Sequence, residues 1–280
     1  MASVRFTVCA AIVLALASPA HAQKNTGLAE PAKVKSEFAE LSWSYLYDGG
    51  VIPFVYATIS LRLGIDLWAP TRTPPLFFDQ GDGGAPSHKS QEVPTWTIQA
   101  GALGLGIGLA LIRDESRWFH VKGFLESLST TVALTAAAKH GFGRIRPDTV
   151  VGEPIPNDQR LSFFSGHSSA ALSALTYTAL YLRYHGFDEA RGQSLLTGWE
   201  AFTYAGLLGL AIGVPASRFV RNRHHLSDVV VGSAVGAGLS AAFFYWQEAR
   251  YRDAVSGAKR SSLRLLPNLE DPGLSLAMTW

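Results

Sequence analysis

Six long apolar stretches dominate the chain: Val51–Trp68, Trp96–Ile112, Phe124–Ala138, Ser168–Leu182, Glu200–Ala216 and Val229–Trp246. Each is longer than an ordinary strand, rich in Ala, Leu and Gly, and free of two-residue alternation, so each is expected to be a helix. The expected fold class is therefore all-α, a bundle of six principal helices. Only the tail departs from this pattern. There Ser262–Leu266 and Leu274–Trp280 flank the turn sequence Glu270-Asp271-Pro272-Gly273 and could close as a small β-hairpin. With 48% apolar and 16% charged residues, the chain suits a very apolar bundle or one in contact with a membrane. A formal net charge of +2 leaves no global footprint for nucleic acid, and no nucleic-acid partner is expected.

The start of the chain carries Arg5, an apolar run over Phe6–Ser18 and the small-residue motif Ala20-His21-Ala22. That pattern is expected to be a secretory signal peptide over residues 1–22, followed by a lead-in with a short amphipathic helix over 23–50. A helical domain over 51–250 and a tail over 251–280 complete the expected organisation. The single cysteine, Cys9, falls in the signal segment, so a processed chain would have no disulfide, thiolate nucleophile or cysteine–zinc site. Thr71–Pro94 reads as a Pro/Gly-rich solvated loop. Gly101, Gly104, Gly106 and Gly108, like Gly232 and Gly236, read as close helix packing, because no strand–turn–helix context makes them a nucleotide loop.

Helix order then gathers chemistry. In an up-and-down bundle the end of the third helix, the start of the fourth, the end of the fifth and the start of the sixth share one rim. Lys139, Arg146, Ser165, Gly166, His167, Arg218, His224 and Asp228 all fall at those points. Lys139, Arg146 and Arg218 would neutralise a phosphate, with arginine suited to bidentate oxygen contacts. Ser165 sits where a helix N-cap would offer free N–H groups to an anion, and Gly166 lets the anion approach that backbone. Asp228, four residues after His224, could hold the proton on one imidazole nitrogen and leave the other as a nucleophile. His167 could then protonate the leaving alkoxide and afterwards deprotonate water. His225 competes with His224 for the nucleophilic role, and Arg144, Arg221 and Arg223 are left between solvent and a substrate headgroup. His88, His120, His140 and His185 are expected to be ordinary core or surface residues.

These three motifs, Lys139-x6-Arg146-Pro147, Ser165-Gly166-His167 and Arg218-x5-His224-x3-Asp228, resemble those of the type-2 phosphatidic acid phosphatase and vanadium-dependent haloperoxidase superfamily. The likeness covers about residues 96–246. It implies the helical fold of that superfamily and phosphate binding by Lys139, Arg146, Ser165, Gly166 and Arg218. It also implies an acid–base role for His167 and a nucleophilic His224 supported by Asp228. Phe164 stands where the family often has proline. The expected activity is metal-independent hydrolysis of a phosphomonoester or lipid (di)phosphate through a phosphohistidine on His224, with no cofactor and no metal. The alternatives are a vanadate-dependent haloperoxidase and a non-catalytic, anion-binding helical membrane protein.

Parity orients the rim. If Val51–Trp68, with its Pro53, Arg62 and Asp66, does not span, an exported start turns the rim toward the periplasm. Arg250, Arg252, Lys259, Arg260 and Arg264 then lie on the cytoplasmic side. The expectation is an exported, periplasm-facing protein in or on the membrane, with a soluble periplasmic bundle as the alternative.

Overall fold

The computed structural model describes residues 51–71, 95–112, 114–149, 154–186, 197–256, 262–268 and 273–279. The expected signal peptide, lead-in, most of the Thr71–Pro94 loop and the turn of the tail lie outside the described residues. Among the described residues, six helices follow one another: α1 (Val51–Trp68), α2 (Thr95–Leu111), α3 (Arg117–Phe142), α4 (Gly166–Tyr181), α5 (Gly198–Val220) and α6 (Leu226–Ser256). A 3₁₀ turn over Asn157–Arg160 precedes α4 and a π-helical turn over Leu182–Gly186 ends it. In the tail, β1 (Ser262–Asn268) and β2 (Gly273–Thr279) pair antiparallel, with Ser262 opposite Thr279 and Asn268 opposite Gly273.

Two helices outrun their sequence expectation. α3 extends past Phe124–Ala138 at both ends because its polar residues are buried partners and not helix-ending signals. Lys122 Nζ lies 3.6 Å from Glu126 Oε1, and Gln247 Nε2 donates to Glu126 Oε2 at 3.0 Å. α6 continues through the Glu248–Arg252 pair (2.6 Å), so the boundary expected at residue 250 falls inside a helix. Oppositely charged residues four apart on a helix face each other and support it.

α4 is the central helix, packed against α2, α3, α5 and α6, while α1 lies on α3. Its tightest neighbour is α6. A Cβ added at Gly232 would come within 2.7 Å of the Ser165 carbonyl oxygen, and one at Gly236 within 2.0 Å of that of Ser169. Only glycine admits backbones this close, the packing expected of this pair. The other glycine run behaves differently. Gly106 does meet Phe124, at 2.9 Å, but Gly101, Gly104 and Gly108 face open space, correcting the expectation of close packing at those three.

Between α3, α4 and α6 the middle of the bundle is a hydroxyl ladder. Ser173 and Ser240 hydroxyls lie 2.8 Å apart, Ser240 donates to Ser127 at 3.3 Å, and Thr135 and Ser169 are joined at 2.9 Å. Below it, Phe124, Tyr177, Leu180, Tyr181 and Phe244 form the apolar core. The outside is equally apolar. α5 buries only Glu200, Pro215 and Arg218, and leaves Trp199, Phe202 and Val220 about as open as free side chains, at 71%, 69% and 76% exposure. Among the described residues, Gly198–Val220 and Leu226–Val255 are long and apolar enough to cross a membrane.

The α4–α6 contact predicts a contrast. Gly236→Ala must separate two backbones and should cost about 1–3 kcal/mol or more. Gly238→Ala, with nothing within 4 Å of its added methyl, should be neutral or stabilising by up to ~1 kcal/mol. Thermal denaturation of both variants reads the difference.

Candidate functional site: a cationic pocket at one end of the bundle

α3 ends at a left-handed Gly143 (φ 61°), whose N–H caps the Lys139 carbonyl at 3.1 Å. The chain beyond it is pinned to the segment before α4. Ser162 N–H donates to Arg144 O at 3.0 Å and Arg146 N–H to Gln159 O at 2.8 Å. α5 and α6 are joined by a short reversal in which Asn222 takes a left-handed φ of 52°, a conformation asparagine tolerates. At the rim between them, Ser165 caps α4 by accepting from Ser168 N–H at 3.4 Å. Ser165 N–H itself donates to the Asp228 carbonyl at 3.0 Å, so the starts of α4 and α6 are bonded together.

Asp228 is fully buried. Its Oδ1 accepts from Arg144 Nη1 at 2.5 Å; its Oδ2 accepts from the Ser162 hydroxyl at 2.5 Å and from His225 N–H at 3.1 Å. His224 lies one turn earlier, just outside α6, with Nδ1 at 2.9 Å from Ser162 O and 3.7 Å from Asp228 Oδ2. Both neighbours are acceptors only, so Nδ1 carries the ring proton and Nε2 keeps its lone pair. The closer partner is a backbone carbonyl, and Asp228 acts at longer range than the His224-to-Asp228 spacing alone implies.

Lys139, in the last turn of α3, brings its ammonium to 3.6 Å from where a Gly166 Cβ would stand, over the start of α4. Burial, then the charge of Arg146, pull its pKa down to about 8. His167, one residue on, is half-buried, and its enclosed Nε2 has no hydrogen-bond partner. Burial first, then Arg218, Lys139, His224 and Arg146, lower its pKa to about 3. For His224 burial dominates, opposed by Asp228 and reinforced by Lys139 and Arg146, and the pKa falls to about 4. Lys139, Arg146, Arg218, His167 and His224 thus share one field. The cations and burial together hold both imidazoles neutral.

The residues left open by the sequence also separate. His225 Nε2 bonds Ile145 O at 3.0 Å, which ties that ring to the loop instead of the pocket. Arg223 pairs with Asp148 at 2.9 Å. Arg144 is neither a solvated cation nor a headgroup contact but the partner of Asp228. Ser162 drew no attention in the sequence, where nothing distinguishes it from other serines. His120 and His185, expected to be ordinary, sit together at the far end of the bundle.

Residues 121–252 match the PAP2 superfamily. Rat phospholipid phosphatase 1 (Rattus norvegicus) is 34% identical over 142 residues, which are 42% of this chain and 48% of that protein. Mouse phospholipid phosphatase 1 (Mus musculus) is 30% identical over 184 residues, 57% of this chain and 60% of the relative. Lipid A 1-phosphatase of Porphyromonas gingivalis is 28% identical over 141 residues, 50% of this chain and 27% of that protein. The chain thus spans about half the length of the curated relatives it matches. No solved structure matches it.

A pocket of this charge makes a prediction by NMR of the imidazole rings. Inorganic phosphate should move the His167 titration upward from about 3, because an anion offsets the cations that depress it. A His167 midpoint indifferent to phosphate would put the anion elsewhere.

Proposed function

From a helical domain that belongs, over residues 121–252, to the PAP2 superfamily, we propose that this protein is a phosphatase acting on lipid phosphates through a phosphohistidine on His224. The observation that carries the reading is His224, held by its Nδ1 proton on Ser162 O, with its neutral ring in the same cationic field as His167. A phosphate dianion would be neutralised by Lys139, Arg146 and Arg218 and would meet the N–H of Gly166 at the start of α4, beside Ser165, whose own N–H is held by the Asp228 carbonyl. His224 Nε2 attacks phosphorus, and Nδ1–H, bonded to Ser162 O and near Asp228, stabilises the positive charge that the ring gains. Three fixed cations supply the transition-state charge that a metal would otherwise supply, and no metal is needed at this rim.

His167 has to be protonated to release the alkoxide. The bound phosphate supplies the negative charge that raises its affinity for a proton. After the alcohol leaves, neutral His167 takes a proton from water, which attacks the phosphohistidine and frees phosphate.

Substrate class follows from the surface around the rim. α5 and α6 carry large apolar side chains outward up to the pocket, where Phe219, Val220 and Leu226 remain exposed. Such a face supports a membrane setting for both helices and a substrate presented from lipid. The names of the phospholipid and lipid A phosphatases support the same class. Glu126, the acidic residue inside α3, is turned inward to Lys122 and Gln247, so it does not oppose an apolar exterior. An exported chain with its rim on the periplasmic side remains the topology proposed.

His224→Ala should abolish hydrolysis of p-nitrophenyl phosphate and phosphatidate, and His167→Ala should lower kcat about 10²–10⁴-fold. Full turnover in His224→Ala would end the proposal. Ser162→Ala should lower kcat by about 10–100-fold with little change in KM, the worth of one hydrogen bond to a charged group. In wild type, kcat/KM should fall as the pH drops through about 4, because protonation removes the His224 lone pair. A profile flat through that range would contradict His224 as the nucleophile.

A further inference from the structure

Far from the phosphate pocket, three elements converge on a second polar cluster that the proposed reaction does not use. His120 lies in the first turn of α3 and Lys139 in its last, which separates them by about 28 Å at helical rise. Beside His120 stand His185, on the π-helical turn that ends α4, and Glu248 of α6. Their donor atoms all lie within 4.8 Å of one another. His120 Nε2 is 3.3 Å and His185 Nε2 2.8 Å from the same atom, Glu248 Oε2. We propose that these three side chains bind a zinc ion that staples the non-catalytic end of the bundle.

Donor geometry argues for a cation between them. Asp114 Oδ1, an acceptor only, lies 3.5 Å from His185 Nδ1 and fixes the proton on that nitrogen. A neutral His185 then points the Nε2 lone pair at a carboxylate oxygen, acceptor against acceptor. Beside it, His120 Nδ1 is 3.3 Å from the Tyr177 hydroxyl, and its Nε2 is fully buried with no hydrogen-bond partner, aimed at the same oxygen. A proton on each Nε2, with Tyr177 donating to His120 Nδ1, is the competing arrangement, and metal uptake separates that network from an ion. One metal ion serves all three donors.

Ligands of a tetrahedral zinc with bonds of about 2.0–2.1 Å stand about 3.3 Å apart, so the cluster needs only small shifts to take one. The remaining contacts match what holds metal-binding imidazoles in place. A carboxylate and a phenol engage the distal nitrogens, and Arg252 Nε donates to the other oxygen of Glu248 at 2.6 Å. The shell around them is aromatic, with Phe244 stacked on His120 at 4.8 Å and Tyr181 at 5.1 Å. Two imidazoles and one carboxylate suit zinc, with water completing the fourth position. His120 and Glu248 are buried and the His185 side chain is only 9% exposed, which admits a water but not a substrate and makes the ion a structural one.

Full-length, untagged protein is stripped with a chelator, dialysed, and titrated with zinc alone, and bound metal is counted by mass spectrometry. The expected result is one equivalent bound and a thermal midpoint raised by about 5 °C or more. Cobalt(II) in its place should give the visible absorption of a tetrahedral site. His185→Gln and Glu248→Gln should each lose the equivalent, while stripped wild type retains p-nitrophenyl phosphate turnover below its midpoint. No metal uptake and an unmoved midpoint in wild type would make the cluster a protonated imidazole–carboxylate network and overturn the proposal. Turnover lost in step with metal content would also overturn it, because the ion would then serve the reaction.

Discussion

Asp228 holds the catalytic end of the fold together. Its carboxylate takes hydrogen bonds from Arg144, after α3, from Ser162, before α4, and from the backbone of His225, before α6. Its carbonyl takes the N–H of Ser165 at the start of α4. One buried side chain and its own backbone thereby join three helix ends, with Arg146 two residues past Arg144, Ser165 three past Ser162 and His224 beside His225. A buried carboxylate is tolerable only when its oxygens are this fully engaged. The same engagement aligns Ser162 O with the His224 ring.

The second requirement is close approach of α4 to α6. Gly232 and Gly236 let the two backbones touch, which brings Ser165 and Asp228 within bonding distance. A hydroxyl ladder then satisfies the polar groups of the interior without charge. Charge is concentrated at the two ends of the bundle, cations at one and the His120–His185–Glu248 cluster at the other. An interior organised this way is compatible with an apolar exterior, since the ionisable groups of the described helices largely face inward or lie at the rims.

Much of this was legible in the sequence because helix order alone determines which ends share a rim. The six apolar stretches located the helices, and the shared rim followed from their alternation. What escaped notice was whatever depends on side chains meeting across the fold. Ser162 is one serine among many until the chain folds back to Arg144. Arg144 stays open between solvent and a substrate headgroup in the sequence because its partner lies 84 residues away. The N-terminal reach of α3 is hidden because the polar residues before Phe124 interrupt the apolar stretch, although Lys122 is paired with Glu126 in the interior. His120 and His185 read as unremarkable singly, and only their convergence on Glu248 makes them a cluster. The glycine run in α2 failed for the opposite reason: glycine spacing permits close packing but does not require a neighbour to be there.

The proposed reaction stands on a covalent bond between phosphorus and His224, and that bond can be trapped. Protein mixed with radiolabelled phosphatidate is quenched within milliseconds in alkali, where a phosphohistidine persists, and the label is mapped by peptide mass spectrometry. Label is expected on the peptide containing His224, lost in His224→Ala and accumulated in His167→Ala if the second step slows more than the first. Turnover by wild type with no label at any time, or label on another residue, would contradict it.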